Sequence, residues 1–509
     1  MTMSSASAAA PIATAEDHDV LDIQSLSFIV GASAVGTIIE WYDFYLYAVL
    51  TPFLAPIFFP PGDATSQLLS AFAVYGAGFA VRPFGAIVFG RIGDVIGRKY
   101  AFMITVSLMG FATFLVGVLP TYEQIGIFAP LILVTFRMLQ GLALGGEYGG
   151  AAIYVAEHAP DHKRGLYTSW IQTTATVGLF IALGVILITR VGFGDAVYKD
   201  WGWRVPFLIS VFLVAFALWI RVRLQETPVF RRMKAAGQTA KNTASWAKDS
   251  FGGSRVGTIL LVLFGMTAGQ AVVWYQGQFQ ALNFFTVYMK TQYIDAYTIL
   301  LIALIAGTPF FVFFGWLSDR IGRKPIILGG CVIAAITYVP IYQAMVSYAN
   351  LTYDAAGKIT GAKPDIMMES FLVFIQVVYV TMVYGPIAAF LVEYFPAKIR
   401  YTSLSIPYHL GNGEFGGWLP FFYTGIVAAT VTTDKYIPWL GIFDFRWMNP
   451  ANDPNGNIYG GLIYVIVVSL MTAVIGWFFI PETKDRKIWD EFHELAPLPG
   501  QGDTARATA

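Results

Sequence analysis

The sequence predicts an all-α polytopic membrane protein with twelve transmembrane helices in two six-helix bundles. Three observations predict it: twelve apolar segments of membrane length, basic residues biased to alternate loops, and loop motifs that recur in both halves. Composition agrees. The 509 residues are 56% hydrophobic and 13% charged, whereas a soluble domain carries about 25% charged residues.

A spanning helix needs about 20 mainly apolar residues. Segments meeting this run over 27–58, 67–90, 100–119, 126–156, 165–189, 204–223, 257–288, 295–317, 325–346, 369–392, 401–430 and 458–480. Residues 1–24 lack a basic start followed by an apolar core, so they read as a disordered cytoplasmic tail rather than a secretory signal. The first bundle is then 25–223, a basic cytoplasmic linker covers 224–256, the second bundle is 257–487, and 488–509 forms a cytoplasmic tail. With both termini inside, 21 of the 32 basic residues fall in inside loops and 8 outside, with Arg82 and Arg137 within spans and Arg506 in the tail. That bias is what the positive-inside rule requires.

Several function classes are excluded. A single cysteine, Cys331, rules out an internal disulfide framework. Five histidines, two of them in one loop, suggest no metal site, and no cofactor is expected. No nucleotide loop or catalytic constellation is visible, so no enzyme is expected. Zero net charge without a basic stripe excludes nucleic acid as a partner. No ring of carbonyl-rich turns suggests a channel filter.

The loops repeat. Gly90-Arg-Ile-Gly-Asp94-Val-Ile-Gly-Arg98-Lys99 lies between spans two and three. Gly315-Trp-Leu-Ser-Asp319-Arg320-Ile-Gly-Arg323-Lys324 lies between spans eight and nine. Glu157-His-Ala-Pro-Asp-His-Lys-Arg164 after span four is echoed by Glu393-Tyr-Phe-Pro-Ala-Lys-Ile-Arg400 after span ten. Gln225-Glu-Thr-Pro228 is echoed by Pro481-Glu-Thr-Lys484. Paired motifs at equivalent places resemble the major facilitator superfamily, in which two bundles rock around a central site. Within it, Glu40-Trp-Tyr-Asp43-Phe, Arg82-Pro83, Arg137-Met-Leu-Gln140 and Gly145-Gly-Glu147-Tyr resemble the metabolite:proton symporter family. That resemblance implies a bacterial inner-membrane carrier, acting as a monomer. It implies symport of a proton with a small organic acid such as 2-oxoglutarate, citrate or shikimate, or with a zwitterion such as proline or glycine betaine, with uniport or antiport of another metabolite as the remaining alternative. Two departures stand out: Val95 replaces the basic residue usual in the first loop motif, and Glu414 enters the glycine-rich stretch of span eleven. The tail 488–509 is too short and too rich in proline and glycine for a coiled coil.

Glu40 and Asp43 are three residues apart and share nearly one helical face. Two carboxylates in low dielectric cannot both ionise cheaply, so the pair can take up and release a proton. Arg137 in span four is the natural counter-charge, since it stays protonated. The resemblance implies a proton-dependent Asp43–Arg137 pair, with Glu40 either a second proton group or part of the gate. Arg82 can clamp a substrate carboxylate through its fork, pair with Glu147, or snorkel to the surface.

Span seven carries many amides that a lipid-facing helix would not keep. Gln276, Gln280 and Asn283 share one predicted face, and Trp274 with Gln278 another; Tyr275 lies beside them. Tyr384, Asn412 and Glu414 are further substrate-site candidates, Glu414 either as a titrating group or as partner to a cationic substrate. Asp94, Arg98, Glu147, Glu157, Arg164, Asp319, Arg320, Arg323, Glu393 and Arg400 are expected in the inner gate.

Overall fold

The computed structural model describes residues 26–95, 98–146, 148–222, 252–396, 400–431 and 445–488. The expected tail 1–24, most of the linker 224–256 and of the tail 488–509, and Glu147 lie outside the described residues, as do the side chains of Asp94 and Arg98.

The apolar segments are helices. Nine helices among the described residues are long and apolar enough to cross a membrane, from Ala64–Ile92 to Leu462–Phe479. The other three expected segments are also helical: Leu26–Phe58, Arg98–Val118, and a stretch beginning at Arg400–Leu410 and resuming as Leu419–Ala429.

Prolines explain where helices break. The second span divides into Ala64–Ala80 and Arg82–Val95, next to Pro83. The eighth divides into Tyr293–Gly307 and Pro309–Ile321, and the tenth into Ile366–Tyr384 and Ile387–Tyr394, next to Pro386. Proline has no N–H to give the preceding turn, so the ladder opens there. Span seven behaves differently. Its α-helical pieces alternate with π-helical turns at Leu263–Thr267, Gln276–Gln280 and Phe284–Tyr288. A further π turn, Gly411–Gly417, joins the two parts of span eleven. Each wide turn disturbs the 3.6-residue spacing of faces.

Small residues let particular helices touch backbone to backbone. A Cβ on Gly141 would lie 1.6 Å from the Gly78 carbonyl oxygen, and one on Gly145 would lie 2.1 Å from the Arg82 carbonyl. Spans two and four are therefore pressed together at the level of Arg82 and Arg137. Across the halves, a Cβ on Gly165 would lie 2.5 Å from the Gly315 carbonyl oxygen, and one on Gly149 would meet Ser405 Oγ.

The segment 347–368, long for a loop, folds into an antiparallel hairpin pairing Leu351–Tyr353 with Ile359–Ala362. Asn455 anchors it, accepting from Ile359 N at 2.8 Å and donating to the Gly357 carbonyl at 2.9 Å.

The glycine contacts can be tested by adding one methyl group. Gly141→Ala should lower the apparent Tm in detergent by at least about 2 °C, because overpacking costs about 1–3 kcal/mol. Gly184→Ala, with open space around its Cβ position, should be neutral or stabilising. Equal melting temperatures for the two variants would show that the close approach is not required.

Candidate functional site

The stretch Trp41–Tyr47 of the first helix meets three different surroundings. Trp41 and Tyr45 face the second half of the chain, with ring centroids 5.8 and 6.1 Å from Trp274. Tyr42 donates its hydroxyl to the Pro206 carbonyl at 2.8 Å, at the start of the helix Val205–Val222. Asp43 is turned to Ser210 on that helix. Both Asp43 oxygens and Ser210 Oγ are buried and stay short of hydrogen-bond geometry. Phe44 and Tyr47 face the close-packed second and fourth spans, where the two arginines lie.

Arg82 and Arg137 are 1% and 0% exposed. The Arg82 guanidinium lies over Phe79 at 3.8 Å and Phe44 at 4.7 Å. Arg137 lies over Tyr47 at 4.4 Å and Phe44 at 5.0 Å. Arg137 Nη1 donates to Gln140 Oε1 at 2.6 Å, and Gln140 Nε2 donates to Thr113 Oγ1 at 2.6 Å. Nε and Nη2 of both arginines have no hydrogen-bond acceptor. Those two atoms form the edge of a guanidinium that clamps a carboxylate side-on.

The expected Asp43–Arg137 ion pair is therefore absent here. Tyr47 covers the Arg137 guanidinium, Gln140 takes one of its N–H groups, and Asp43 points to the sixth span instead. Glu40 is buried one turn earlier. Arg82 does not snorkel: it stays buried, and no described carboxylate pairs with it.

On span seven the two predicted faces divide unequally. Trp274 meets the first half and stands 5.8 Å from Tyr384, its indole N–H unpartnered. Gln278 Nε2 reaches Thr176 Oγ1 of the first half at 3.4 Å. Tyr275 stands 5.6 Å from Phe79, also in the first half. Gln276 instead turns inward and donates to the Tyr342 hydroxyl at 2.7 Å. Asn283 and Gln280 bond only each other, at 3.5 Å. The π turn Gln276–Gln280 is the physical reason, since an α-helical count of faces fails across it. Tyr384 shares a 2.7 Å hydroxyl contact with Tyr408, and Asn412 pairs with Gln270 at 3.3 Å. Glu414 is half-buried beside Tyr464 of the last helix, away from the arginines.

The repeated loops come together at one end. Arg164 Nη1 meets Glu393 Oε1 at 2.9 Å, and Arg323 Nη2 meets the same oxygen at 3.0 Å. Arg164 also pairs with Asp161. Arg400 and Glu157 form the equivalent crossed pair at 3.8 Å. Asp319 holds Arg323 at 2.7 Å and accepts from Gly165 N and Leu166 N at 2.8 and 2.9 Å, capping the helix Arg164–Asp200 from the other half. Arg320 takes no part through its side chain: it is exposed and lies 4.0 Å from the Trp316 ring. At the opposite end the Arg190 guanidinium lies 3.2 Å from the Tyr293 ring centroid and bonds Asp195 at 2.9 Å. Contacts thus bridge the halves at both ends, and the arginine-lined centre is sealed.

Sequence reasoning missed several participants. Glu482 accepts from Arg323 N at 2.9 Å and Lys324 N at 3.0 Å, and Thr483 donates to Glu393 Oε2 at 2.7 Å. The repeated Glu-Thr motif was the available signal. Tyr75, Phe79 and Tyr408, which stacks on Tyr148 at 3.5 Å, carried none, being common membrane-helix residues, whereas Phe44, Gln140 and Tyr148 stood within the family motifs without a role of their own.

The family description "Sugar (and other) transporter" matches residues 29–256. The chain is 32% identical over 487 residues to the glycine betaine/proline/ectoine/pipecolic acid transporter OusA of Dickeya dadantii (strain 3937), covering 94% of this chain and 87% of that one. It is 32% identical over 402 residues to the citrate-proton symporter of Klebsiella pneumoniae, covering 78% and 84%. Among solved structures, the major facilitator superfamily proton:xylose symporter XylE, from E. coli, superposes with a TM-score of 0.65 at 18% identity. The match covers 92% of this chain and 98% of that one, a likeness of fold alone.

Removing one partner from a buried ion pair costs about 3–5 kcal/mol. Glu393→Gln should therefore speed amide exchange at Gly165 and Leu166 by at least about tenfold, as the halves part more often at this end. Arg320→Gln should leave the same amides unchanged. Unaltered exchange in the Glu393 variant would remove that carboxylate from the closure.

Proposed function

The chain belongs to the major facilitator superfamily, a class of transporters and not of enzymes, and from that premise we propose that it couples proton entry to uptake of a small organic acid. In this reading twelve spans form the bundles 25–223 and 257–487, which rock about a central site in a bacterial inner membrane. The end gathered around Glu393 is cytoplasmic, as are both termini, and the monomer is the working unit.

The observation that carries the substrate reading is the pair of buried guanidinium groups that have no carboxylate partner among the described residues. Arginine keeps its charge even in low dielectric, and a buried uncompensated charge is unfavourable. An entering organic anion supplies what the protein withholds, offering acceptors to the free edges of Arg82 and Arg137. Tyr275 and Tyr384 lie near Arg82, and Trp274 packs against both rings, so the anion would meet an aromatic, weakly polar wall. Asn412 pairs with Gln270 nearby; Gln276, Gln280, Asn283 and Glu414 contribute less, because their polar atoms turn elsewhere.

Asp43 is assigned the proton. A carboxylate buried beside a single hydroxyl is poorly solvated when ionised, which suits a group that must load and unload a proton as access alternates. Glu40, one turn away, is the second candidate. The inner gate comprises Arg164, Glu393, Arg323, Asp319, Glu157 and Arg400, with Asp94, Arg98 and Glu147 as members expected from sequence.

A zwitterion such as proline or a betaine is the second reading. It is favoured by the likeness to OusA, whose name states such substrates. A zwitterion brings one carboxylate for two open guanidinium edges, which is why the acid reading leads.

The test is uptake into proteoliposomes of labelled 2-oxoglutarate, citrate, shikimate, proline and glycine betaine, with and without an inward proton gradient. An acid should accumulate only with the gradient. Asp43→Asn should keep exchange while losing accumulation by about tenfold or more. Arg137→Gln should weaken exchange of the acid by at least about tenfold, matching the loss of a charged hydrogen bond. Gradient-independent uptake would end the symport reading, and accumulation of zwitterions alone would replace the acid.

A further inference from the structure

We infer that Phe44 is a positioning residue that transmits the protonation state of Asp43 to both arginines. The inference rests on the reading that Asp43 takes the proton and the arginines take the anion. It answers a question raised by the geometry: Asp43 faces Ser210, so it has no direct bond through which to release Arg137.

Phe44 follows Asp43 in the chain, fully buried. Among the described residues it is the one ring approached by both cations, Arg82 Cζ at 4.7 Å and Arg137 Cζ at 5.0 Å from its centroid. The two guanidinium carbons consequently lie within about 10 Å of each other, beside one side chain. Phe79 meets the ring edge-on at 5.0 Å and 88°, and Tyr75 lies 5.5 Å away. In so closely packed a setting the ring cannot shift while its neighbours stay still.

The two protonation states of Asp43 prefer different surroundings. Neutral, it is content beside Ser210; ionised, it requires water or further donors. A turn of the first helix that adjusts to the change carries Phe44 with it, because residues in one helical turn move as a unit. The Phe44 face then alters against both guanidinium groups together, changing how their free edges meet an anion.

The charged and titratable groups around this turn are few. Glu40, Tyr42, Tyr45 and Tyr47 lie on its own helix, Tyr75 and Arg82 on the second span, and Arg137 on the fourth. Tyr198 comes from the fifth span, Tyr275 from the seventh and Tyr384 from the tenth. Tyr47 covers Arg137 but not Arg82, which makes it the comparison residue.

The experiment uses the full chain in proteoliposomes, with labelled 2-oxoglutarate as first probe, or another panel acid that the parent accumulates. Exchange is measured from pH 5.5 to 8.5, and accumulation under an inward proton gradient. Phe44→Leu should weaken exchange, as removing the aromatic face beside both guanidinium groups requires, and should in addition flatten its pH dependence to within about twofold and reduce accumulation by about tenfold. Phe44→Tyr, which restores the aromatic face, should recover all three. Tyr47→Leu should weaken exchange while preserving the slope with pH. If Phe44→Leu cannot be purified folded, Phe44→Met carries the same expectation. Accumulation and a pH profile like the parent's in the Leu or Met variant would overturn the inference, as would identical behaviour of the Leu and Tyr variants. Those results leave the functional reading standing if Asp43→Asn still uncouples. A parent that accumulates no acid under the gradient would overturn both.

Discussion

The rest of this structure depends on burying two guanidinium groups that meet no carboxylate among the described residues. Arg82 and Arg137 cannot shed their charge, so the chain must hold them by other means. Aromatic faces supply part of the compensation: Phe79 and Phe44 under Arg82, Tyr47 and Phe44 under Arg137. Gln140 supplies one hydrogen bond, itself steadied by Thr113. The backbone contact of spans two and four, made possible by Gly78, Gly141 and Gly145, fixes both cations at one level. The site is stable enough to exist and incomplete enough to need a ligand.

The first helix organises this centre because three faces of a short stretch do different work. Trp41 and Tyr45 reach the second half, Tyr42 and Asp43 reach the helix Val205–Val222, and Phe44 and Tyr47 cover the arginines. In the proposed reading, the proton group and the aromatic supports of the anion site thus share a helix without sharing a bond. Coupling in such an arrangement is mechanical, carried by side-chain packing, and its direction is set by which neighbours are rigid.

Much of the architecture was legible in the sequence, because lipid imposes long apolar helices and a charge bias on any chain that crosses it. The ion-pair cluster between the halves was legible for a related reason: the Glu157–Arg164 and Glu393–Arg400 motifs repeat, and the structure crosses them, Arg164 to Glu393 and Arg400 to Glu157. The centre was harder. Arg82 and Arg137 stood out as cations within oil, but their aromatic supports did not, since Tyr75 looks like any membrane aromatic and Phe44 stood in a family motif without a role of its own. Gln276 was assigned the wrong neighbours because a π-helical turn cannot be seen in a residue count. Asp43 and Arg137 do not pair in this structure because of orientation: two opposite charges on adjacent helices need not point at each other.

The sharing of Glu393 has a consequence for repeated operation. When the halves separate, Arg164 leaves that carboxylate but keeps Asp161 on its own side. Glu393 keeps Arg323 and Thr483 on its side. Neither Arg164 nor Glu393 is stranded by the parting, and each retains a local companion ready for the return. The closure can therefore break and re-form in every turnover without waiting for counter-ions, behaving as a catch with a resting place on both sides.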